Sequence, residues 1–318
     1  MIMKALVYQV TIALAVGCAY AQTATQSMPQ WKATVKVVDE AGQPVEGATV
    51  TIGYYIPPPA SRPTSIATDA KRGVTDTNGL FTASEYSRSP DLFVGVIKGG
   101  YYKTHVDYEL GPEYKAAKWS PELTLVLKRI GKPIPMYAKW VNVGMPVLDK
   151  PIGFDLMAGD WIAPYGKGAS TEIIFTAHRD QRSEDDFDYR LTISFPKPGD
   201  GIQPFNPNAF RPGEGSALRS SHEAAENGYE PRWIKTQSQR PGEPARYGLD
   251  ENLNFFFRVR TVLDEQGNVK SALYGKIYGD FMHFRYYLNP TANDRNVEFD
   301  PKHNLLKGLR GSQMVDAP

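Results

Sequence analysis

The chain has 318 residues, room for about two domains, and carries 36 Lys and Arg against 35 Asp and Glu with no long basic run. That balance argues against nucleic acid or an anionic membrane surface as the main partner, because both reward clustered cations. Pro, Gly and Tyr number 25, 28 and 18, a usage that favours strands joined by turns over helices.

Residues 1–21 read as a signal peptide, with one early charge at Lys4, an apolar run over residues 5–16, and Ala19-Tyr20-Ala21 as a small-x-small cleavage site. The run is shorter than the ~20 apolar residues a membrane span needs, and no later segment could span a bilayer, so no transmembrane helix is expected in the mature chain. Cys18 is the only cysteine, and cleavage after Ala21 removes it, leaving no thiol and no disulfide. The alternative is lipidation, since residues 15–18 (AVGC) resemble a bacterial lipobox with Ala where Leu is usual, and Cys18 would then become an anchored first residue. Either route delivers the chain to the periplasm, the cell surface or the medium of a bacterium. Loss of the leader removes Lys4 alone among charged residues, so the mature chain is near neutral. Residues 22–30 form a polar spacer.

Residues 31–130 are expected to form a β-sandwich. Ala33, Val35 and Val37 alternate with Thr34 and Lys36, and Ala48, Val50 and Ile52 alternate with Thr49 and Thr51. Two strands therefore face one core, as a hairpin or as a pair across a sandwich. Asn78-Gly79 signals a two-residue type I′ turn. Residues 54–72, with three consecutive prolines, look like an insertion at one end. Residues 92–98 and 123–128 read as further strands.

The pattern V-x-D-x-x-G-x-P-V-x-G-A-x-V-x-I over residues 37–52, followed by T-D-x-x-G-x-F over residues 75–81, resembles the carboxypeptidase regulatory-like domain, an Ig-like or transthyretin-like β-sandwich. Gly100-Tyr101 stands where that family has a Gly-Tyr step, and residues 123–128 resemble its closing strand. The resemblance covers about a third of the chain. It implies a scaffold or docking module without a catalytic site of its own.

Residues 131–151, with Pro133, Pro135, Pro146 and Pro151, read as a linker. Residues 152–318 are expected to form a second, antiparallel β-rich domain with long loops, so the chain is all-β. Residues 172–177, 189–195, 254–263, 269–277 and 281–288 are its strands, with Arg258 and Arg260 together on a wet face. Residues 198–246 read as a long surface excursion with one short helix at 221–226.

Catalytic signatures are weak. Residues 166–170 (GKGAS) lack the spacing of a phosphate loop, His222-Glu223-Ala224-Ala225-Glu226 lacks the second histidine of a zinc helix, and Ser216 lies outside G-x-S-x-G. Asp155, Asp160 and Glu172 flank Trp161, and with Asp280, which lies three residues from His283, they would be the acids of a polysaccharide hydrolase. Asp294, Asn296, Glu298 and Asp300 sit at alternate positions, so an extended strand would turn their oxygens to one face, as Ca²⁺ requires. No other cofactor is suggested. Tyr274, Tyr278, Tyr286, Tyr287, Trp161 and Trp233 could form an aromatic platform for a glycan or protein, or fill a core. The expectation is an exported, non-catalytic envelope protein in a binding or structural role, with the second domain recognising an envelope glycan or protein; a hydrolase acting through the acids above is the alternative.

Overall fold

The computed structural model describes residues 30–62, 64–89, 91–109, 118–142, 144–205, 215–247, 254–279, 281 and 283–318. The signal peptide, Cys18, the polar spacer up to residue 29 and Asp280 lie outside these residues. The described chain is all-β, with 21 strands and no α-helix.

The first half contributes β1 (Gln30–Asp39), β2 (Thr49–Ile56), β3 (Ala67–Val74), β4 (Leu80–Tyr86), β5 (Leu92–Ile97), β6 (Thr104–Tyr108), β7 (Lys118–Trp119) and β8 (Glu122–Leu127). In one sheet β1 lies between antiparallel β4 and parallel β8 and β7, so that Val35 is opposite both Phe81 and Leu123. In the other, β3, β2, β5 and β6 run antiparallel in that order. The alternation decides which atoms fill the space between them: Ala33, Val35 and Val37 face Ala48, Val50, Ile52 and Val94, all buried. β1 and β2 thus pair across the sandwich and not as a hairpin.

Two local expectations change. Asn78-Gly79 is not a type I′ hairpin turn, because the strands it follows and precedes, β3 and β4, belong to different sheets. Of the two residues only Gly79 has positive φ, and Asp76 Oδ1 shapes the turn by accepting the Asn78 and Leu80 N–H groups at 2.9 and 2.8 Å. A Cβ on Gly79 would lie 2.4 Å from the Val37 carbonyl oxygen, so glycine is needed for close approach as well as for φ. The stretch 54–72 is no insertion but the upper part of the β2–β3 hairpin, with Tyr54 opposite Asp69. Its prolines at 57–59 follow the last paired residue of β2, where no ladder hydrogen bond is lost.

The second half adds β9 (Ile134–Val141), β10 (Ile152–Asp155), β11 (Asp160–Trp161), β12 (Ile173–Gln181), β13 (Phe187–Ser194), β14 (Gly201–Phe205), β15 (Gly215–Ser216), β16 (Arg232–Gln239), β17 (Arg246–Tyr247), β18 (Asn254–Leu263), β19 (Val269–Gly279), β20 (Phe284–Leu288) and β21 (Phe299–Asn304). They form one sheet in the order β11-β10-β12-β13-β16-β17 and another in the order β14-β18-β19-β20-β9-β21. The core between them is aromatic, with Phe154, Phe175, Phe255, Phe257, Phe284 and Tyr286 buried together.

Here the chain departs from expectation in four places. Residues 131–151, read as a linker, contain β9, which sits inside a sheet; Pro135 is tolerated because the antiparallel pairing with β20 begins only at Tyr137. The excursion at 198–246 carries four short strands, of which β16 is mostly half-exposed and so lacks a clean alternation to read. No helix forms at 221–226: Ala224 N–H donates to Arg295 O at 2.8 Å and Val297 N–H to His222 O at 2.9 Å, pairing the stretch with an extended segment. Arg260 does not share a face with Arg258, because a bulge at Val259–Val262, with Arg260 at φ 56°, turns its side chain to Glu172.

The two sandwiches are joined along their flanks. β15 extends the sheet of the first sandwich by pairing with β6, and Ala217 N–H donates to Lys103 O at 2.8 Å. Beside it the Glu298 carboxylate, 2% exposed, takes the Tyr102 hydroxyl and Gly131 N–H on Oε1, both at 2.9 Å, and Lys132 N–H on Oε2 at 2.6 Å. The Tyr102 hydroxyl titrates well above its ordinary range, through burial first and then through this bond. His222 Nε2 lies 2.8 Å from Arg129 O and 3.5 Å from Glu298 Oε1, and Lys128 Nζ donates to Ser220 O at 2.8 Å.

Glu298→Ala leaves three buried or half-buried donors without an acceptor, and the expected loss is about 3 kcal/mol, measured by urea unfolding. A loss below about 1 kcal/mol, the size of an ordinary surface change, would show that the junction is held by other contacts.

Candidate binding cleft

The junction leaves a cleft of about 520 Å³ between the sandwiches. One wall is the outward face of the first sandwich, where Thr49 and Thr51 on β2 and His105 on β6 stand; β15 and Ala217 form its floor. The other wall is Tyr278 on β19 with Arg285 and Tyr287 on β20, and residues 316–318 close one end.

Strand periodicity puts Tyr274, Lys276 and Tyr278 on one face of β19, opposite to Ile277 in the main core. Lys276 is directly opposite Tyr287, and Tyr278 opposite Arg285. Lys276 is 0% exposed. Its Nζ is 3.3 Å from Ser220 Oγ and lies over the rings of Tyr278 and Tyr287, 5.0 and 4.8 Å from their centroids. Burial pushes its pKa down. Arg219 lies over Tyr278 at 5.7 Å and Arg285 over Trp140 at 4.5 Å. Burial, with the neighbouring Arg285 as a further cause, also lowers the pKa of Arg219. Among the described residues neither arginine forms an ion pair, and Asp316 is the one acidic side chain lining the cleft.

The expected aromatic platform is not an open surface. Tyr278 and Tyr287 form the buried back of the cleft, Tyr274 is covered by Phe256 and Val297, and Tyr286 faces the main core with its hydroxyl donating to Leu156 O at 2.8 Å. Successive residues of a strand point to opposite faces, so Tyr286 and Tyr287 could never share one. Trp161 is in the main core and Trp233 packs against Phe255 at 5.3 Å.

The expected catalytic acids tie down backbone. Asp155, 5% exposed, accepts N–H groups of Met157, Ala158, Ala169 and Ser170 at 2.8–3.0 Å. Burial works against its charge, but these four bonds prevail and lower its pKa. Asp160 accepts from Trp161 and Lys167 N–H, both at 2.9 Å. Glu172, 1% exposed, accepts from Leu156 N–H, the Ser170 hydroxyl and Arg260. The Gly-rich turn at 166–170 is therefore an anion cradle whose occupants are the protein's own carboxylates.

The alternating oxygens near the C-terminus are used in the same way. Asp294 Oδ1 accepts Asn296 N–H, Asn296 Oδ1 accepts Glu298 N–H, Glu298 holds the junction, and Asp300 pairs with His303 at 2.6 Å while accepting Lys302 N–H. Among the described residues no group of three or more His, Cys, Asp or Glu is placed to hold a metal ion. Sequence reasoning missed Arg219, Arg285 and Lys103, since scattered cations give no signal until folding gathers them. Lys276 did carry one, standing between two tyrosines of a buried strand.

No family model matches the chain, and no curated protein matches it. Among solved structures, the chain is similar to a 3-chlorocatechol 1,2-dioxygenase from Rhodococcus opacus, at 13% identity and a TM-score of 0.26, covering 34% of this chain and 62% of that one. It is similar to a streptococcal ancillary pilin at 12% identity and 0.22, covering 81% and 60%. A DUF3823 family protein from Parabacteroides merdae gives 9% identity and 0.21, covering 86% and 100%. The chain thus spans about three fifths of the dioxygenase and of the pilin. Scores of this size carry no argument about function. No helix among the described residues is long and apolar enough to cross a membrane, which says nothing of strands.

Two substitutions test these electrostatics. Because the folded-state pKa of Lys276 is depressed, the unfolded chain binds the proton more tightly between that value and 10.5, and stability rises with pH across the window. Lys276→Met should reduce that rise by the Lys276 share, leaving the part that Lys128 and Lys139 contribute, and stabilise the protein at neutral pH by ~1–3 kcal/mol; urea midpoints from pH 6 to 10.5 measure both. Asp155→Ala should cost about 3 kcal/mol at neutral pH. The wild-type contribution is present above the unfolded value of 3.8 and disappears as pH falls through the lower folded value, so the two proteins should converge in acid.

Proposed function

We propose that this chain is an exported, non-catalytic envelope protein in which two β-sandwiches, locked side by side, recognise a ligand at the cleft between them. The observation that carries the reading is the cleft itself: about 520 Å³, walled by strands of both sandwiches and backed by fixed rings and cations. That volume falls in the range of small-ligand sites, which favour boundaries between domains. The first sandwich, with its resemblance to the carboxypeptidase regulatory-like domain, serves as scaffold and contributes one wall. The leader sequence supports export, with simple release after Ala21 or anchoring at Cys18.

A glycan or a protein segment fits this arrangement better than a hydrolase mechanism does. Hydrolysis of a glycoside needs two carboxyl groups facing each other across an open site, whereas Asp155 and Glu172 are buried and bonded to backbone N–H groups. What was expected of the Tyr274–Tyr287 surface and of the 198–246 excursion passes to the cleft, where Tyr278, Tyr287 and residues 215–217 meet.

The test is a thermal-shift screen of the mature chain from Gln22 with glycans, peptides and divalent cations, including a chelator control. A cleft ligand should raise the melting temperature by mass action, and Thr51→Trp, which fills the cleft from a half-exposed strand position, should remove that rise. Polysaccharide turnover lost in a folded Asp160→Asn variant would overturn the non-catalytic reading.

A further inference from the structure

We infer that the cleft takes a small organic oxyanion, a carboxylate or phosphate group carried on a hydroxylated body such as a sugar acid or sugar phosphate. This rests on the reading of the cleft as the recognition site and adds the chemical class of its ligand.

Lys103, Arg219 and Arg285 line the cleft, and Asp316 is the one acidic side chain among its described lining residues. Behind the wall stand Lys276, with no exposure, and Lys128; burial lowers the pKa of both, so the field rests on Lys103, Arg219 and Arg285. The nearest buried acid is already engaged: Glu298 gives its oxygens to Tyr102, Gly131 and Lys132. Among described residues Lys276 therefore has the Ser220 and Tyr278 hydroxyls and two ring faces as its close partners, with the charge of Glu298 farther off. A positive potential inside a partly closed, low-dielectric cleft is costly until an anion enters, and the same walls strengthen its attraction for one.

Arg219 and Arg285 lean on the rings of Tyr278 and Trp140, which restrains the guanidinium planes without engaging their N–H groups in an ion pair among the described residues. Such a fork is matched to the paired oxygens of a carboxylate or phosphate, and little entropy is lost when it binds. Burial first, and then the neighbouring Arg285, lowers the pKa of Arg219, and a shared anion offsets both.

Ser216 Oγ lies buried beneath the cleft floor, where among the described residues it has no hydrogen-bond partner, a condition that costs about 1–3 kcal/mol. Thr49, Thr51 and His105 bring further donors and acceptors to the facing wall. One oxyanion at the arginine wall and hydroxyls toward the threonines and His105 would satisfy both sides.

Isothermal titration of the mature chain with galacturonic acid, glucose 6-phosphate and glucose, at low and high ionic strength, tests the inference. One or both anionic probes should bind at one per chain, weaken with salt, and exceed glucose in affinity by at least ~10-fold; comparing the two identifies carboxylate or phosphate as the source. Arg219→Gln with Arg285→Gln should abolish binding. Lys103→Gln, at an exposed position, should weaken it without touching the packed wall, and Asp316→Asn should tighten it. Glucose binding as well as either acid, or anion binding unaltered by Lys103→Gln and Thr51→Trp, would overturn the proposal. If neutral glycans or peptides bind and Thr51→Trp blocks them while both acids fail, the anion inference falls and the cleft remains the recognition site. If no probe binds and Thr51→Trp alters no ligand's thermal shift, both fall.

Discussion

The arrangement of the molecule depends on one buried carboxylate. Glu298 accepts three donors, from Tyr102 in the first sandwich and from Gly131 and Lys132 where the chain enters the second. A carboxylate with almost no solvent contact survives only when its oxygens are filled in this way, so the requirement fixes the approach of the two halves as firmly as it fixes the side chain. Gly131 is part of the same constraint, since a Cβ there would come within 2.6 Å of Glu298 Oε2. The backbone pairing of β15 with β6 lies alongside. Together they make the second half complete a sheet that the first half began.

From that junction follows the charge of the cleft. Strand geometry alone makes Lys276 share a face with Tyr274 and Tyr278, but it is packing by residues distant in sequence, Ser220, Val297 and Val315 among them, that takes this face out of water. The acid that would ordinarily accompany a buried lysine is committed to the junction. What remains around the cleft is a surplus of cations held against aromatic rings, inside a chain whose overall charge is close to balanced. Net charge describes solubility and long-range steering, and it says little about a local field of this kind.

The other acids show how carboxylates can resemble a catalytic set in sequence and do different work. Asp155 and Asp160 fill the N–H groups of the turn at 166–170, and Glu172 joins that turn to Arg260 across a bulge. The Asp294, Asn296 and Glu298 oxygens at alternate positions each accept a backbone or side-chain donor nearby. In an all-β chain with many irregular connections, unpaired backbone N–H groups are numerous, and short acidic side chains are the simplest acceptors for them.

The sequence by itself determined the all-β class, the facing strands around Val35 and Val50, the hairpin of β18 and β19 and the third strand beside it, because period-two alternation and turn chemistry are local properties. It could not reveal β9 behind its prolines, the short strands of the 198–246 stretch, or the extended course of residues 221–226, since these are stabilised by partners distant in sequence. Tertiary structure alone decided that the tyrosines of β19 and β20 would be walls and core instead of an open platform. It also decided that Lys103, Arg219 and Arg285, far apart in the sequence, would line one cleft. The physical reason is the same in each case: alternation tells which face of a strand is apolar, but whether that face meets water, a second sheet or another sandwich depends on what the rest of the chain brings against it.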